Sequence, residues 1–155
     1  GYILVTGGTY GHRLLFDALA ESTLNNVVLQ TGEVDPTPYK KKHPEWKVLG
    51  VTERFHELVA GAEMVVTHLG FTSLEALAYK KRVVIVINPE WRLLEMRNAK
   101  YLARKVNAVL VSEITTETLL NAIDEARKRK VPTLPNGAEN LADIIISMLK
   151  GSAPN

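Results

Sequence analysis

The sequence predicts a single α/β domain: a parallel sheet of about six strands with helices on both faces. Three observations carry the prediction. Short apolar runs rich in β-branched residues alternate with longer stretches of helical period, as in a parallel sheet covered by helices. No repeat or low-complexity tract interrupts that alternation. The length of 155 residues suits one compact domain, which at this size buries roughly 68–70% of the surface its unfolded chain exposes.

In chain order, Gly1-Tyr2 leads straight into the strand-like Ile3-Leu4-Val5, giving a first strand over 2-6 and a helix over 11-22. A second strand over 26-31 ends in Gln30-Thr31, and 32-45, rich in Pro, Lys and Gly, reads as one exposed loop. A strand over 46-51, a helix over 53-60 and a strand over 63-67 follow. Helical spacing returns over 72-80, then a strand over 83-87, a helix over 92-105 and a last strand over 108-111. Thr115-Thr116 with Glu117 and Thr118 offers a side-chain oxygen to the open amides of a helix over 115-129. Asn136-Gly137 precedes a closing helix over 137-149, whose Leu141, Ile144, Ile145, Met148 and Leu149 recur on one face. Residues 151-155 read as a flexible tail.

Composition narrows the chemistry. With no cysteine, disulfides, thiolate metal sites and cysteine nucleophiles are excluded. Nineteen basic against 17 acidic residues give only +2, too little to argue for a nucleic-acid partner. The basic clusters Lys40-Lys41-Lys42, Lys80-Lys81-Arg82 and Arg127-Lys128-Arg129-Lys130 read as solvated loops and helix ends. No apolar run approaches the roughly 20 residues of a membrane-spanning helix, and the start carries no signal-peptide pattern. Four scattered histidines without H-E-x-x-H spacing give no metal site. Neither a G-x-S-x-G elbow nor a full Walker loop occurs.

In an open sheet of this kind ligands bind beyond the carboxyl ends of the strands, so the loops at 6-12, 67-73 and 88-95 converge on the candidate site. Thr6-Gly7-Gly8-Thr9-Tyr10-Gly11-His12 joins a strand to a helix. Its glycines permit close backbone approach, and the free amides at the helix start suit a phosphate. A tight turn needing positive φ explains the same glycines equally well, and the spacing is not that of a dinucleotide fingerprint. His68-Leu69-Gly70-Phe71-Thr72-Ser73-Leu74-Glu75 is a second strand end running into a helix. Thr72 or Ser73 can cap that helix and present a hydroxyl to an anion, and Glu75 in its first turn can accept from a diol such as a ribose. Taken singly, His68 reads as a satisfied, partly buried imidazole and Glu75 as a favourable first-turn acid. Glu95 near the start of a later helix suits sugar hydroxyls or plain solvent, and Trp91 suits a stacked ring or the core.

These motifs resemble the donor-binding, carboxyl-terminal domain of the GT-B glycosyltransferases of family 28, over nearly the whole chain. Gly7-Gly8-Thr9-Tyr10-Gly11 is similar to the family's Gly-Gly-Ser/Thr-x-Gly phosphate loop, and Leu29-Gln30-Thr31-Gly32 to its second-strand ending. Glu53 to Ala62 resembles the segment bordering the base pocket. His68-x-Gly70 with Ser73 and Glu75-Ala76-Leu77 resembles the His-x-Gly-x-x-Ser-x-x-Glu-Ala-Leu signature, and Asn98-Ala99 the Gln-x-x-Asn-Ala ending. Between His68 and Glu75 the chain is one residue shorter than the family pattern. Taken up within the helix, this would turn Glu75 by roughly 100°; taken up in the loop, it would leave Glu75 in place. Lys80-Lys81-Arg82 stands where Gly-Lys-Pro is usual, and Glu95 where a glutamine commonly touches the donor sugar.

The resemblance implies a Rossmann-like half of a GT-B fold, with 1-150 as the nucleotide-sugar donor-binding domain. It implies donor contacts from Gly7, Gly8, Thr9, Tyr10, Gly11, His12, His68, Gly70, Thr72, Ser73, Glu75, Glu95 and Asn98, no metal, and no cofactor beyond a UDP-sugar as substrate. The expected activity is transfer of a sugar, GlcNAc from UDP-GlcNAc, to a lipid-linked acceptor. A family enzyme also has an amino-terminal half that binds the acceptor and supplies the general base. That half is expected from a separate membrane-associated subunit at the cytoplasmic face of the membrane, or from the remainder of a longer protein. The alternatives are a non-catalytic interaction module that has lost its donor, and half of a sugar-nucleotide epimerase.

Overall fold

The structure is a computed structural model that describes residues 1-8, 11-68, 72, 75-76, 79-87, 96-97, 100 and 107-130. The expected closing helix over 137-149, the tail and most of the helix over 92-105 lie outside them. The described elements are β1 (Tyr2–Thr6), α1 (Arg13–Ala20), β2 (Val27–Gln30), α2 (Thr37–Lys42), β3 (Lys47–Leu49), α3 (Phe55–Gly61), β4 (Ala62–His68), β5 (Arg82–Val86), β6 (Val109–Val111) and α4 (Thr116–Lys128). All six strands pair in parallel, in the order β3-β2-β1-β4-β5-β6.

The β-branched runs make central strands because both faces of the sheet are covered. One face carries Ile3, Val5, Val27, Leu29, Met64, Val66, Val84 and Val86, under Leu15, Phe16 and Leu19 of α1 and Leu119 and Ile123 of α4. The other carries Leu4, Val28, Val65, Val83 and Ile85 under Val59 of α3 and Ala76. Helix α4 starts where the sequence indicates: the Thr118 amide donates to Thr115 Oγ1 and the Thr115 amide to Thr118 Oγ1, both at 3.0 Å. Among the described residues no helix is long and apolar enough to cross a membrane.

The segment 32-45 departs from its reading as one exposed loop. It contains α2, and Tyr39, His43 and the following Trp46 are buried. A six-residue helix shows almost no sequence periodicity, and here tertiary contacts hold it. Tyr39 packs edge-on to Phe16 and donates to Asp17 at 2.6 Å. The His43 ring stacks on Trp46 with centroids 3.8 Å apart, and Trp46 Nε1 donates to the Leu24 carbonyl at 2.7 Å. Lys40, Lys41 and Lys42 form its last turn, where cations complement the helix dipole.

The strand order reverses between β1 and β4. The chain leaves β1 toward β2 and β3 on one side, then returns through α3 to β4 on the other. The carboxyl ends of β1 and β4 therefore flank a crevice at the switch point, where open sheets of this type receive ligands.

Candidate functional site

The floor of this crevice is a row of polar side chains. Thr6, the last residue of β1, is in register with Gln30 on β2 and with Thr67 on β4, and all three are buried. Thr6 Oγ1 donates to Gln30 Oε1 and accepts from the Gly8 amide at 3.2 Å, while Gln30 Nε2 donates to the Gly50 carbonyl at 3.0 Å. One hydrogen-bonded chain thus fixes both the glycine loop after β1 and the loop after β3. At the end of the row, the fully buried Thr67 hydroxyl has no hydrogen-bond partner among the described residues.

The glycine loop divides its labour. Gly11 has φ +83°, and a Cβ there would stand 2.5 Å from the Thr31 carbonyl oxygen, so the backbone of this turn demands glycine. Gly7 is buried beside the start of α1. Gly8, with φ +77°, borders the cleft: among the described residues a Cβ there would meet only the His68 ring, 3.1 Å from Cε1. His12 caps α1, its Nδ1 accepting from the Leu15 amide at 3.3 Å. One of the helix-start amides expected to face an anion is therefore already satisfied by His12, and the ring's Nδ1 is committed to that cap. Thr9 and Tyr10 lie outside the described residues.

Above the floor opens a cleft of about 240 Å³ lined by Gly8, Gln30, Val51, Thr52, Phe55 and Thr72. It brings together the ends of β1, β2 and β3, the start of α3 and the helix after β4. Val51 presents an apolar side chain that is 70% exposed at this rim, the kind of surface a flat ring covers. Sequence motifs did not single out Val51 or Thr52. Their only sequence-level signal is position, immediately beyond the third apolar run.

His68 closes β4 against Gly8. Its Nδ1 is buried and has no hydrogen-bond partner among the described residues, which corrects the reading of His68 alone as a satisfied imidazole. Burial, and secondarily the nearby His12, push its pKa below the ordinary 6.5. The ring is therefore neutral at pH 7, with an unused polar atom beside the glycine loop. Thr72 has helical backbone, so it stands inside its helix rather than at the cap. Glu75, also helical, is one turn further along the same face, and its carbonyl accepts from the Tyr79 amide at 3.1 Å. The Glu75 carboxylate, 23% exposed, accepts from Nδ1 of His56 on α3, a residue that lies within the Glu53 to Ala62 segment but was not singled out there. Thr72 lines the cleft and His56 follows the lining Phe55, but neither His56 nor Glu75 is itself among the residues that line it. Gly70, Ser73, Trp91, Glu95 and Asn98, with the loop at 88-95, lie outside the described residues.

Comparison with known proteins gives a consistent set. The model of the glycosyltransferase family 28 C-terminal domain matches residues 2–146. The sequence is 29% identical over 153 residues to the UDP-N-acetylglucosamine--N-acetylmuramyl-(pentapeptide) pyrophosphoryl-undecaprenol N-acetylglucosamine transferase of Trichodesmium erythraeum (strain IMS101), covering 90% of this chain and 41% of that protein. The chain thus spans about two fifths of the length of this curated relative. Among solved structures, Acinetobacter baumannii MurG superposes with a TM-score of 0.66 at 21% identity, over 95% of this chain and 49% of that one. The solution structure of ALG13 gives 0.67 at 11% identity, over 96% of both chains. The UDP-GlcNAc 2-epimerase of Neisseria meningitidis bound to UDP-GlcNAc gives 0.59 at 15% identity, over 96% and 44%. These likenesses establish the fold: a Rossmann-like α/β domain matching one half of a GT-B protein.

Proposed function

The chain belongs to glycosyltransferase family 28 as a C-terminal domain, and from that premise we propose that it is the donor-binding half of a sugar transferase using a UDP-sugar, UDP-GlcNAc in the first instance. The observation that carries the reading is the cleft at the switch point, bounded by a glycine loop, an apolar rim and an acid-bearing helix. Val51 and Phe55 suit the uracil face, the Glu75 carboxylate suits the ribose diol, and Gly8 with His68 suits the diphosphate.

In this reading the domain orients the donor and stabilises the charge that develops on the departing diphosphate. A polar floor held in advance by Thr6, Gln30 and Gly50 serves that purpose because its dipoles need no rearrangement during reaction. The attacking hydroxyl and its general base come from an acceptor-binding half, in the same protein or on a separate subunit. A lipid-linked acceptor presented at the cytoplasmic membrane face is proposed by extension from the Trichodesmium relative, whose name specifies a pyrophosphoryl-undecaprenol acceptor.

Calorimetric titration with UDP and UDP-GlcNAc tests the reading. Binding is expected, weakened about tenfold or more in Glu75→Ala by loss of hydrogen bonds to a charged acceptor. A folded protein that takes up no UDP at millimolar concentration refutes it. Turnover of UDP-GlcNAc to its 2-epimer without any acceptor would instead assign the domain to an epimerase.

A further inference from the structure

The contact between His56 and Glu75 joins the two helices that contribute lining residues to the cleft, although neither side chain lines it itself. His56 is on α3, one residue after the lining Phe55, and Glu75 is on the helix that carries the lining Thr72. The His56 side chain is 74% exposed, so packing gives it little role in the fold, and an exposed pair of this kind adds little to stability. Its effect falls instead on Glu75. A glutamate side chain has several rotatable bonds, and fixing it in one orientation is costly in entropy unless a partner holds it beforehand.

We propose that His56 is a positioning residue for the donor's ribose: by donating from Nδ1 to Glu75 Oε1, it turns the carboxylate so that Oε2 faces the cis-diol. This rests on the reading of the cleft as a nucleotide site. An ionised carboxylate offers about four lone-pair directions, so His56 occupies one and leaves enough for both ribose hydroxyls. On α3 the neighbouring ionic contact is Arg54 with Glu57, at 3.0 Å, and among the described residues His56 is the ionic partner of the Glu75 carboxylate.

The test is a cycle that crosses a protein change with a ligand change. UDP and 2′,3′-dideoxy-UDP are titrated into wild type, His56→Ala and His56→Asn, the last chosen because its amide nitrogen can stand in for Nδ1. In His56→Ala, UDP affinity is expected to fall about three- to fivefold with an unchanged melting temperature, while dideoxy-UDP affinity stays the same. His56→Asn should recover most of the loss. Equal weakening of both ligands would mean a general structural role and overturn the proposal, as would unchanged UDP affinity in His56→Ala. Failure of the underlying nucleotide reading is recognised separately: Glu75→Ala would then leave UDP affinity unaltered, whatever the His56 variants do.

Discussion

Replacing Gly8 by alanine should weaken nucleotide binding more than it weakens the fold. At φ +77° an alanine pays the left-handed backbone cost of about 1–2 kcal/mol. Among the described residues its Cβ would meet only the His68 ring, 3.1 Å from Cε1, so that ring need give only a few tenths of an ångström. For a chain of this size each kcal/mol moves the melting temperature by about 2–4 °C, so a fall of about 2–8 °C is expected. The same methyl group stands on the cleft wall, where the proposed donor's diphosphate would approach the loop. Loss of one hydrogen bond to a charged group costs about 1.5–3 kcal/mol, so the UDP dissociation constant should rise about ten- to hundredfold. Gly11→Ala is the control. It combines a φ of +83° with a Cβ 2.5 Å from the Thr31 carbonyl oxygen and 2.6 Å from Val34 Cγ2, and Gly11 is not among the lining residues. Crowding there adds about 1–3 kcal/mol to the backbone cost, so Gly11→Ala should melt lower than Gly8→Ala yet retain more affinity where it remains folded. Scanning calorimetry and isothermal titration on the three proteins supply both quantities. Wild-type UDP affinity in Gly8→Ala, with the expected drop in melting temperature, would refute the assignment of the glycine loop to the phosphates.

Three further outcomes follow from the same geometry. Gln30→Leu removes the acceptor of the Thr6 hydroxyl and the side-chain donor to the half-buried Gly50 carbonyl, leaving Thr6 Oγ1 only its bond from the Gly8 amide; urea unfolding should show a loss of about 1–3 kcal/mol, chiefly from the buried hydroxyl proton left without an acceptor. The depressed pKa of His68 makes the folded state less stable in acid. Below 6.5 the unfolded chain binds a proton that the folded chain refuses, so stability present above 6.5 is lost as pH falls toward the lower folded value. His68→Asn should flatten that part of the profile in urea melts between pH 7.5 and 5.5. Phe16→Ala opens a cavity beneath the sheet and removes the ring that packs against Tyr39; it should cost about 3–5 kcal/mol by the same assay.

The sheet was readable from the sequence because each strand is its own signal. Ile3-Leu4-Val5, Val27-Val28-Leu29 and Val83-Val84-Ile85 are short β-branched runs buried on both faces, and they need no distant partner to be recognised. Helix α4 was readable for a similar reason, since Thr115 and Thr118 form their cap locally. Helix α2 was not, because what holds it comes from elsewhere in the chain: Asp17, Phe16, Ala20 and Leu24 supply the partners of Tyr39, His43 and Trp46. The site divides along the same line. The glycine loop and Glu75 stood out as motifs, whereas the polar floor exists only through register, which sets Gln30 and Thr67 on either side of Thr6. Val51 and Thr52 carry no motif, and His56 lies in the Glu53 to Ala62 segment without being marked out within it. They matter because α3 and the helix after β4 meet across the crevice, and that meeting depends on the strand order rather than on local spacing.

The most direct test of the donor-site assignment is a titration of UDP into isotopically labelled protein, followed amide by amide by NMR. The account predicts saturable shifts at Gly8, Val51, Thr52, Thr72 and Glu75, around the switch-point cleft. Shifts concentrated instead in the groove between β6 and α4, at residues such as Ser112, Thr118 and Asn121, or no shifts at millimolar UDP, would contradict it.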